Sequence, residues 1–223
     1  MTRILFHLMV SALLGSVASA DQYWIAYEGN DFPENEGWTR LWNGPFAERW
    51  IEDGALVIDA RESASTCEWY NWYPDTVAPD PGELFVLQWR SKIEDFTGGW
   101  LGTTVSVFSD DCWAVGFHMN NDTIRSAFEP GVSAEFEPDE FHQFQLLSTD
   151  MRSYELYIDD MLAIQGSFWE SLWSNRFGWG ETTTGSSSLS RWDYVRCGVV
   201  PEPRTTVTML ALSAAFVVGR SKR

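Results

Sequence analysis

Residues 141–166, FHQFQLLSTDMRSYELYIDDMLAIQG, constrain the fold more than any other stretch of this chain. His142, Phe144 and Leu146 fall on one side of the first run, and Gln143 and Gln145 on the other. After the STDMRS segment, Tyr154, Leu156 and Ile158 share a side, and Glu155, Tyr157 and Asp159 take the opposite one. A period of two marks a strand with one buried face, and two such runs around a short polar turn make a hairpin. Asp159 and Asp160 fall at the next turn, where Asp is favoured because its carboxylate bonds nearby backbone.

The same alternation recurs along the chain. Tyr23 to Tyr27 reads as a strand before a turn-rich loop carrying Gly29, Asn30, Asp31, Pro33 and Gly37. Asp53-Gly54 sits between two short strand-like runs, a strong local hairpin signal. Ser65 to Tyr73 is aromatic-rich, and Leu84 to Ile93 alternates Phe85, Leu87 and Trp89 against Val86, Gln88 and Arg90. Further runs cover Trp100–Phe108, Cys112–Met119, Thr123–Phe128, Arg176–Gly180 and Arg191–Arg196. No segment carries a convincing amphipathic helical pattern, though Ser167 to Trp173 has room for one short turn. Many short strands with frequent turns predict an all-β protein, a sandwich or barrel.

The FH-x-F and L-Y-I-D-D elements of the hairpin, with the terminal strand Trp192-Asp193-Tyr194-Val195-Arg196, resemble the concanavalin A-like lectin/glucanase (laminin-G-like) domains. The resemblance implies a two-sheet antiparallel jelly-roll sandwich over residues 21–199, with its binding surface on a concave sheet.

Both ends read as addresses. Residues 1–20 join Arg3, an apolar run from Ile4 to Val17 and Ala18-Ser19-Ala20, the layout of a secretory signal peptide. Residues 200–223 join Pro201-Glu202-Pro203, an apolar run from Val207 to Gly219 and a basic tip. That arrangement resembles the PEP-CTERM sorting signal of Gram-negative bacteria, which implies an exosortase-type protease as partner and a transient membrane stay for the C-terminal hydrophobic helix. The chain is therefore expected at the cell surface or in the extracellular matrix.

Charge narrows the partners. The full chain carries a formal net charge of −17. Five of its 15 basic residues (Arg3, Arg204, Arg220, Lys222, Arg223) and one of its 32 acids (Glu202) lie in the two ends, leaving 10 basic against 31 acidic residues between them, net −21. Such a surface repels phosphate backbones, so nucleic acid is not an expected ligand. Cys67, Cys112 and Cys197 all lie in the exported part, where disulfides persist; an odd count allows at most one internal bridge, and Cys67–Cys112 is the preferred pair.

Alternation also nominates a ligand face. With Val105, Val107, Trp113, Val115, Phe117, Ile124 and Phe128 inward, Ser106, Ala114, Gly116, His118 and Arg125 point out, and small Ala114 and Gly116 leave room above the sheet. Arg90, His118 and Arg125 would flank that space, with Tyr70 and Trp72 as the exposed aromatic pair of Glu68–Tyr73. Aromatic faces beside polar side chains suit sugar rings, which offer C–H faces for stacking and hydroxyls for hydrogen bonds. Glu28, Asn30, Asp31 and Asp193 supply hard oxygens for a structural Ca²⁺, an ion the family resemblance implies between first loop and last strand.

Glucanases of the resembled family carry a Glu-x-Asp-x-x-Glu strand with two acids on one face. The nearest stretch, Glu135 to Glu140, has Glu137 in place of the Asp and is broken by Pro138. Zinc, nucleophile-elbow and phosphate-loop motifs are absent from the sequence. The expectation is a non-catalytic module binding a polysaccharide or glycoconjugate, ahead of a structural matrix component without a ligand and, third, a glycoside hydrolase. Mass spectrometry of the exported protein should find a chain that starts at Asp21 and lacks everything beyond the Pro-Glu-Pro region; an intact Arg223 on a secreted form would contradict the sorting expectation.

Overall fold

The computed structural model describes residues 23–41, 47–62, 68–75, 77–98, 102–173, 175–181 and 186–201. The leader and most of the sorting tail, with Glu202 and Pro203, lie outside the described residues, as does Cys67. Among the described residues no helix is long and apolar enough to cross a membrane.

The strands in chain order are β1 (Tyr23–Tyr27), β2 (Thr39–Leu41), β3 (Glu48–Glu52), β4 (Ala55–Asp59), β5 (Glu68–Trp72), β6 (Glu83–Gly98), β7 (Thr103–Phe108) and β8 (Trp113–Met119). They continue with β9 (Thr123–Ser126), β10 (Ser133–Glu135), β11 (His142–Ser148), β12 (Ser153–Ile158), β13 (Met161–Ser167), β14 (Trp169–Glu170), β15 (Arg176–Glu181) and β16 (Ser186–Pro201). A single 3₁₀ turn, Pro33–Glu36, interrupts them among the described residues.

Two antiparallel sheets result. The first runs β13-β12-β11-β6-β16-β4-β3, with β1 also on β16; the second runs β10-β9-β8-β7-β15-β5-β2, with β14 also on β8. The hairpin that opened the sequence argument is β11–β12, with Phe144 opposite Ile158 and Leu146 opposite Leu156. All four are buried, while the residues between them are half-exposed. Its turn is tied by the Ser148 hydroxyl, which accepts from the Met151 N–H at 2.9 Å, and by the Asp150 carboxylate, which accepts from the N–H groups of Arg152 and Ser153. Asp53-Gly54 and Asp159-Asp160 have positive φ at both positions, the two-residue turn whose twist suits a hairpin.

The longest pairing, β6 with β16, exceeds the sequence expectation at both ends. β16 passes residue 199 to pair Val200 with Leu84 and Pro201 with Glu83. A bulge between Trp192 and Tyr194 lets Trp192 and Val195 both face the core.

The inward faces interdigitate as aromatic packing. Trp179 on β15 meets Trp192 of the opposite sheet at 4.8 Å between ring centroids, Tyr70 at 4.8 Å, Tyr27 at 5.1 Å and Trp38 at 5.7 Å. Trp89 stacks on Phe144 at 5.1 Å. Two acids are fully enclosed with them. Glu68 accepts both Nε–H and Nη2–H of Arg40 at 2.6 Å, and the Tyr70 hydroxyl donates to it at 2.6 Å. Glu181 accepts from Thr103 at 2.8 Å and from Ser190 at 2.5 Å, and Ser188 also donates to it. Those serines lie on β16, so the carboxylate ties one sheet to the other. Burial raises the Glu181 pKa above the usual glutamate range, against the pull of its three hydroxyl donors.

Glycine is required on β15 behind the inward Trp179. Gly180 has φ of 128°, and a Cβ there would strike the Glu68 carbonyl on β5. Gly54 also has positive φ, 76°, but no atom lies within 4 Å of where its Cβ would be. Gly180→Ala is therefore expected to cost on the order of 3 kcal/mol, lowering Tm by roughly 10 °C, while Gly54→Ala costs about 1 kcal/mol. Calorimetry of the two variants separates backbone strain from lack of space. Glu181 gives a pH signature of its own. A raised folded-state pKa means a contribution present below the ordinary glutamate pKa and lost as pH rises through the folded value. Stability of the native chain should thus fall over that rise more steeply than that of Glu181→Gln; parallel profiles would show that the acid does not titrate on folding.

Candidate functional site

The outward face of the second sheet is built by five adjacent strands, β5, β15, β7, β8 and β9. Register places Asn71 beside Gly178, Gly178 beside Ser106, and Ser106 beside Gly116. One step along, Trp69, Gly180, Thr104, His118 and Arg125 form a second row across β5, β15, β7, β8 and β9. On the other side Arg176, Phe108 and Ala114 form a third, with Trp169 of β14 opposite Ala114. Strands lie about 4.8 Å apart, so the three intervals from Asn71 to Gly116 span about 14 Å.

The small residues let side chains lie down on the sheet. A Cβ at Gly178 would meet Asn71 Oδ1 and the Trp69 ring, and one at Gly116 would lie 3.3 Å from the Phe128 ring. Phe128 thus covers the outer face where the sequence placed it inward, and the room expected above Gly116 is filled. Thr104 and Ser106 are buried beneath this layer, and Asn71 is fully enclosed. The Trp69 indole N–H donates to Asn71 Oδ1 at 2.8 Å, and the Asn71 amide donates to the Tyr73 hydroxyl at 3.2 Å. These bonds fix Trp69, Asn71 and Tyr73 as a line along β5 and its end.

Where the line stops, the face opens. Tyr73 is 54% exposed, Trp173 60% and Trp169 57%. Arg176 sits among the rings, its guanidinium carbon 4.4 Å from the Phe108 centroid and 4.5 Å from that of Trp173. Its Nε is buried without a hydrogen-bond partner. Burial lowers the Arg176 pKa, partly offset by the Tyr73 hydroxyl. In the second row His118 Nδ1 lies 2.9 Å from the Thr104 hydroxyl. Burial, and secondarily the Arg125 charge, lower its pKa to about 4, so the ring is neutral at neutral pH.

Only part of the sequence-predicted site is assembled here. His118 and Arg125 are cross-strand neighbours on this face, as expected. Tyr70 is not: it is fully buried in the core, bonded to Glu68 and to Arg49. Trp72 shares its inward side and packs against the core. Arg90 belongs to the other sheet, paired with Asp193 at 2.5 Å and stacked over Phe141 at 4.7 Å. The residues that sequence reasoning missed are Trp69, Tyr73, Trp173 and Arg176. The signal lay in the same segment, because an aromatic run facing both ways exposes either Trp69 and Tyr73 or Tyr70 and Trp72.

The three carboxylates of the expected calcium set each have a protein partner. Glu28 is held by Arg196, with 2.8 and 2.5 Å contacts, Asp193 by Arg90, and Asp31 accepts from the Phe32 N–H at 2.7 Å. Among the described residues no group of three or more His, Cys, Asp or Glu is placed to hold a metal ion. Cys112 is exposed on the turn before β8 and Cys197 is buried in the first sheet. Two hollows, of about 390 and 470 Å³, lie away from the face described: one is lined by Leu84, Leu147 and Tyr154, the other by Phe136, His142 and Met161. Both are set on the β11–β13 side and neither includes the exposed rings.

No family model and no curated protein matches the chain. Solved structures do. A carbohydrate esterase, vb_24B_21 of the Shiga toxin-encoding bacteriophage phi24B, superposes with a TM-score of 0.59 at 11% identity, covering 81% of this chain and 99% of its own. β-Agarase A of Zobellia galactanivorans gives 0.52 at 11% identity, covering 80% and 89%. The carbohydrate recognition domain of Emp47p gives 0.51 at 11% identity, covering 83% and 99%. At such identity the likeness establishes the concanavalin A-like jelly-roll fold. It also corrects the expectation that the chain is not an enzyme: the fold is shared with an esterase and an agarase as well as with a recognition domain.

The titration of His118 checks the electrostatics of the face. A depressed folded-state pKa stabilises above the ordinary histidine value near 6.5, and that contribution is lost as pH falls through about 4. NMR of the His118 ring should show a midpoint near 4, moving upward in Arg125→Gln; a midpoint at 6.5 in the native chain would place the ring in water.

Proposed function

We propose that this chain interacts with polysaccharide through the outward face of its second sheet, on a platform made by Trp69, Tyr73 and Trp173. The observation that carries this is the exposure of Tyr73 and Trp173 beside Arg176 on a sheet whose inner Tyr70, Phe117, Phe177 and Trp179 are fully enclosed. Exposed aromatic rings lose apolar area to water, and a sugar's C–H face recovers it while its hydroxyls reach the adjoining polar groups. The platform is open at the surface and carries the exposed rings, which the two hollows on the β11–β13 side lack, and that suits an extended polymer. The proteins that share this fold, a carbohydrate esterase, an agarase and a carbohydrate recognition domain, support the same ligand class.

Delivery belongs to the same proposal: the layout of residues 1–20 and 200–223 supports export to the cell surface or matrix, with the Pro201-Glu202-Pro203 segment read by a sorting protease.

Affinity electrophoresis against soluble polysaccharides, with release of reducing ends and of ester groups followed in parallel, tests the assignment. Tyr73→Ala with Trp173→Ala should weaken retention about tenfold or more, the equivalent of one or two lost stacking contacts. Because both side chains are exposed, the double variant should melt within a few degrees of the native chain. Unchanged retention in a folded double variant would remove this face from the interaction.

A further inference from the structure

We infer that the polysaccharide taken by this face is anionic, with a sugar carboxylate or sulfate ester seated on the Arg176 guanidinium between the Tyr73 and Trp173 rings. The inference rests on the polysaccharide reading above and goes further by naming the ligand's charge and the residue that reads it.

Seven other arginines among the described residues carry ion pairs. Arg40 pairs with Glu68, Arg49 with Glu34, Arg61 with Asp59, Arg90 with Asp193, Arg152 with Asp111, Arg191 with Glu52 and Glu94, and Arg196 with Glu28. With 32 acids against 15 Lys and Arg, partners are abundant. Arg176 makes no ion pair with the described residues, and its Nε is buried with no acceptor. Its neighbours are the Phe108 and Trp173 rings, which attract the cation through their π faces but accept none of its N–H bonds. A buried guanidinium N–H with no acceptor costs stability, and an anion on the half-buried Arg176 group would offset that cost.

The central strands supply no anion, and the acids that flank the spot, Asp75 and Glu170, are exposed and form no ion pair with Arg176. The outward positions of β5, β15, β7 and β8 are Trp69, Asn71, Arg176, Gly178, Gly180, Thr104, Ser106, Phe108, Ala114, Gly116 and His118, none of them an acid. The negative charge of the chain as a whole does not repel a ligand seated there, because charges beyond about 8 Å are largely screened at physiological ionic strength. A guanidinium offers two parallel N–H bonds, matching the paired oxygens of a carboxylate or sulfate. The flanking Tyr73 and Trp173 rings are then placed to hold the sugar that bears the group. A uronate and a sulfated sugar present the same chemistry to Arg176, and the test separates them.

Binding of the full chain is measured by biolayer interferometry against polygalacturonate, dextran sulfate, and neutral dextran and laminarin. The native chain is expected to bind one anionic polymer more tightly than either neutral one. Arg176→Gln should weaken that binding about tenfold or more, with Arg176→Lys between them, since the point charge survives and the planar fork does not. Preference for polygalacturonate assigns a carboxylate, and preference for dextran sulfate assigns a sulfate. Thermal melts of both variants serve as the folding control. Tight binding of a neutral polymer that Arg176→Gln leaves unchanged would overturn the charge assignment while polysaccharide binding stands. Anionic binding indifferent to Arg176→Gln would also overturn it, and failure to bind any of the four would remove both proposals.

Discussion

The fold depends on the contact of Trp179 with the opposite sheet. This indole, fully buried on β15, is surrounded by Trp192 and Tyr27 of the first sheet, by Tyr70 of its own, and by Trp38 from the loop before β2. A sandwich of two separately hydrogen-bonded sheets is held mainly by what lies between them, and large aromatic rings supply more buried area per residue than any other side chain. The flanking glycines complete the arrangement: beside the bulky inward Trp179, Gly178 and Gly180 leave the outward side bare. The same strand thus fills the core and clears the space in which Trp69 lies.

Carboxylates are distributed by the same logic. Glu68 and Glu181 stand directly across from one another on β5 and β15, and both point inward. A buried acid is tolerated only with strong donors, which here are a bidentate arginine for one and three hydroxyls for the other. Removing a partner from such a group costs more than the pair contributes; the Glu181 bonds to β16 and the Arg49 contact with Glu68 cross between the sheets, while Arg40 holds Glu68 within its own sheet. The outward side of the central strands, by contrast, carries no acid. An acidic chain has therefore placed two carboxylates in its core and none on the outward side of β5, β15, β7 and β8.

Much of the fold was legible in the sequence because most strands have one polar and one apolar side. β11 and β12 show this best, with Phe144, Leu146, Leu156 and Ile158 all where alternation puts them. The Asp53-Gly54 turn was legible for a backbone reason, since few other residue pairs adopt its dihedrals at low cost. What alternation does not supply is which sheet a strand joins. Arg90 obeys its pattern faithfully, outward from β6, yet β6 belongs to the first sheet and Arg90 stands on the far side of the molecule from His118 and Arg125.

The site was misread for a more specific reason, and β5 shows it. Its sequence Glu68-Trp69-Tyr70-Asn71-Trp72-Tyr73 offers two aromatic sides, and the usual rule puts the side containing the charged residue in water. That rule selects Tyr70 and Trp72 as exposed because they keep step with Glu68. The rule fails here because Arg40 and Arg49 reach Glu68 from β2 and β3, strands distant in sequence, and so convert a solvent-facing residue into a core residue. Trp69 and Tyr73 are then forced outward, held in line by the Asn71 amide. Local patterning and tertiary structure disagree at this strand, and such disagreement is where function is commonly found. The arginines that hide Glu68 also determine which aromatic rings of β5 face outward.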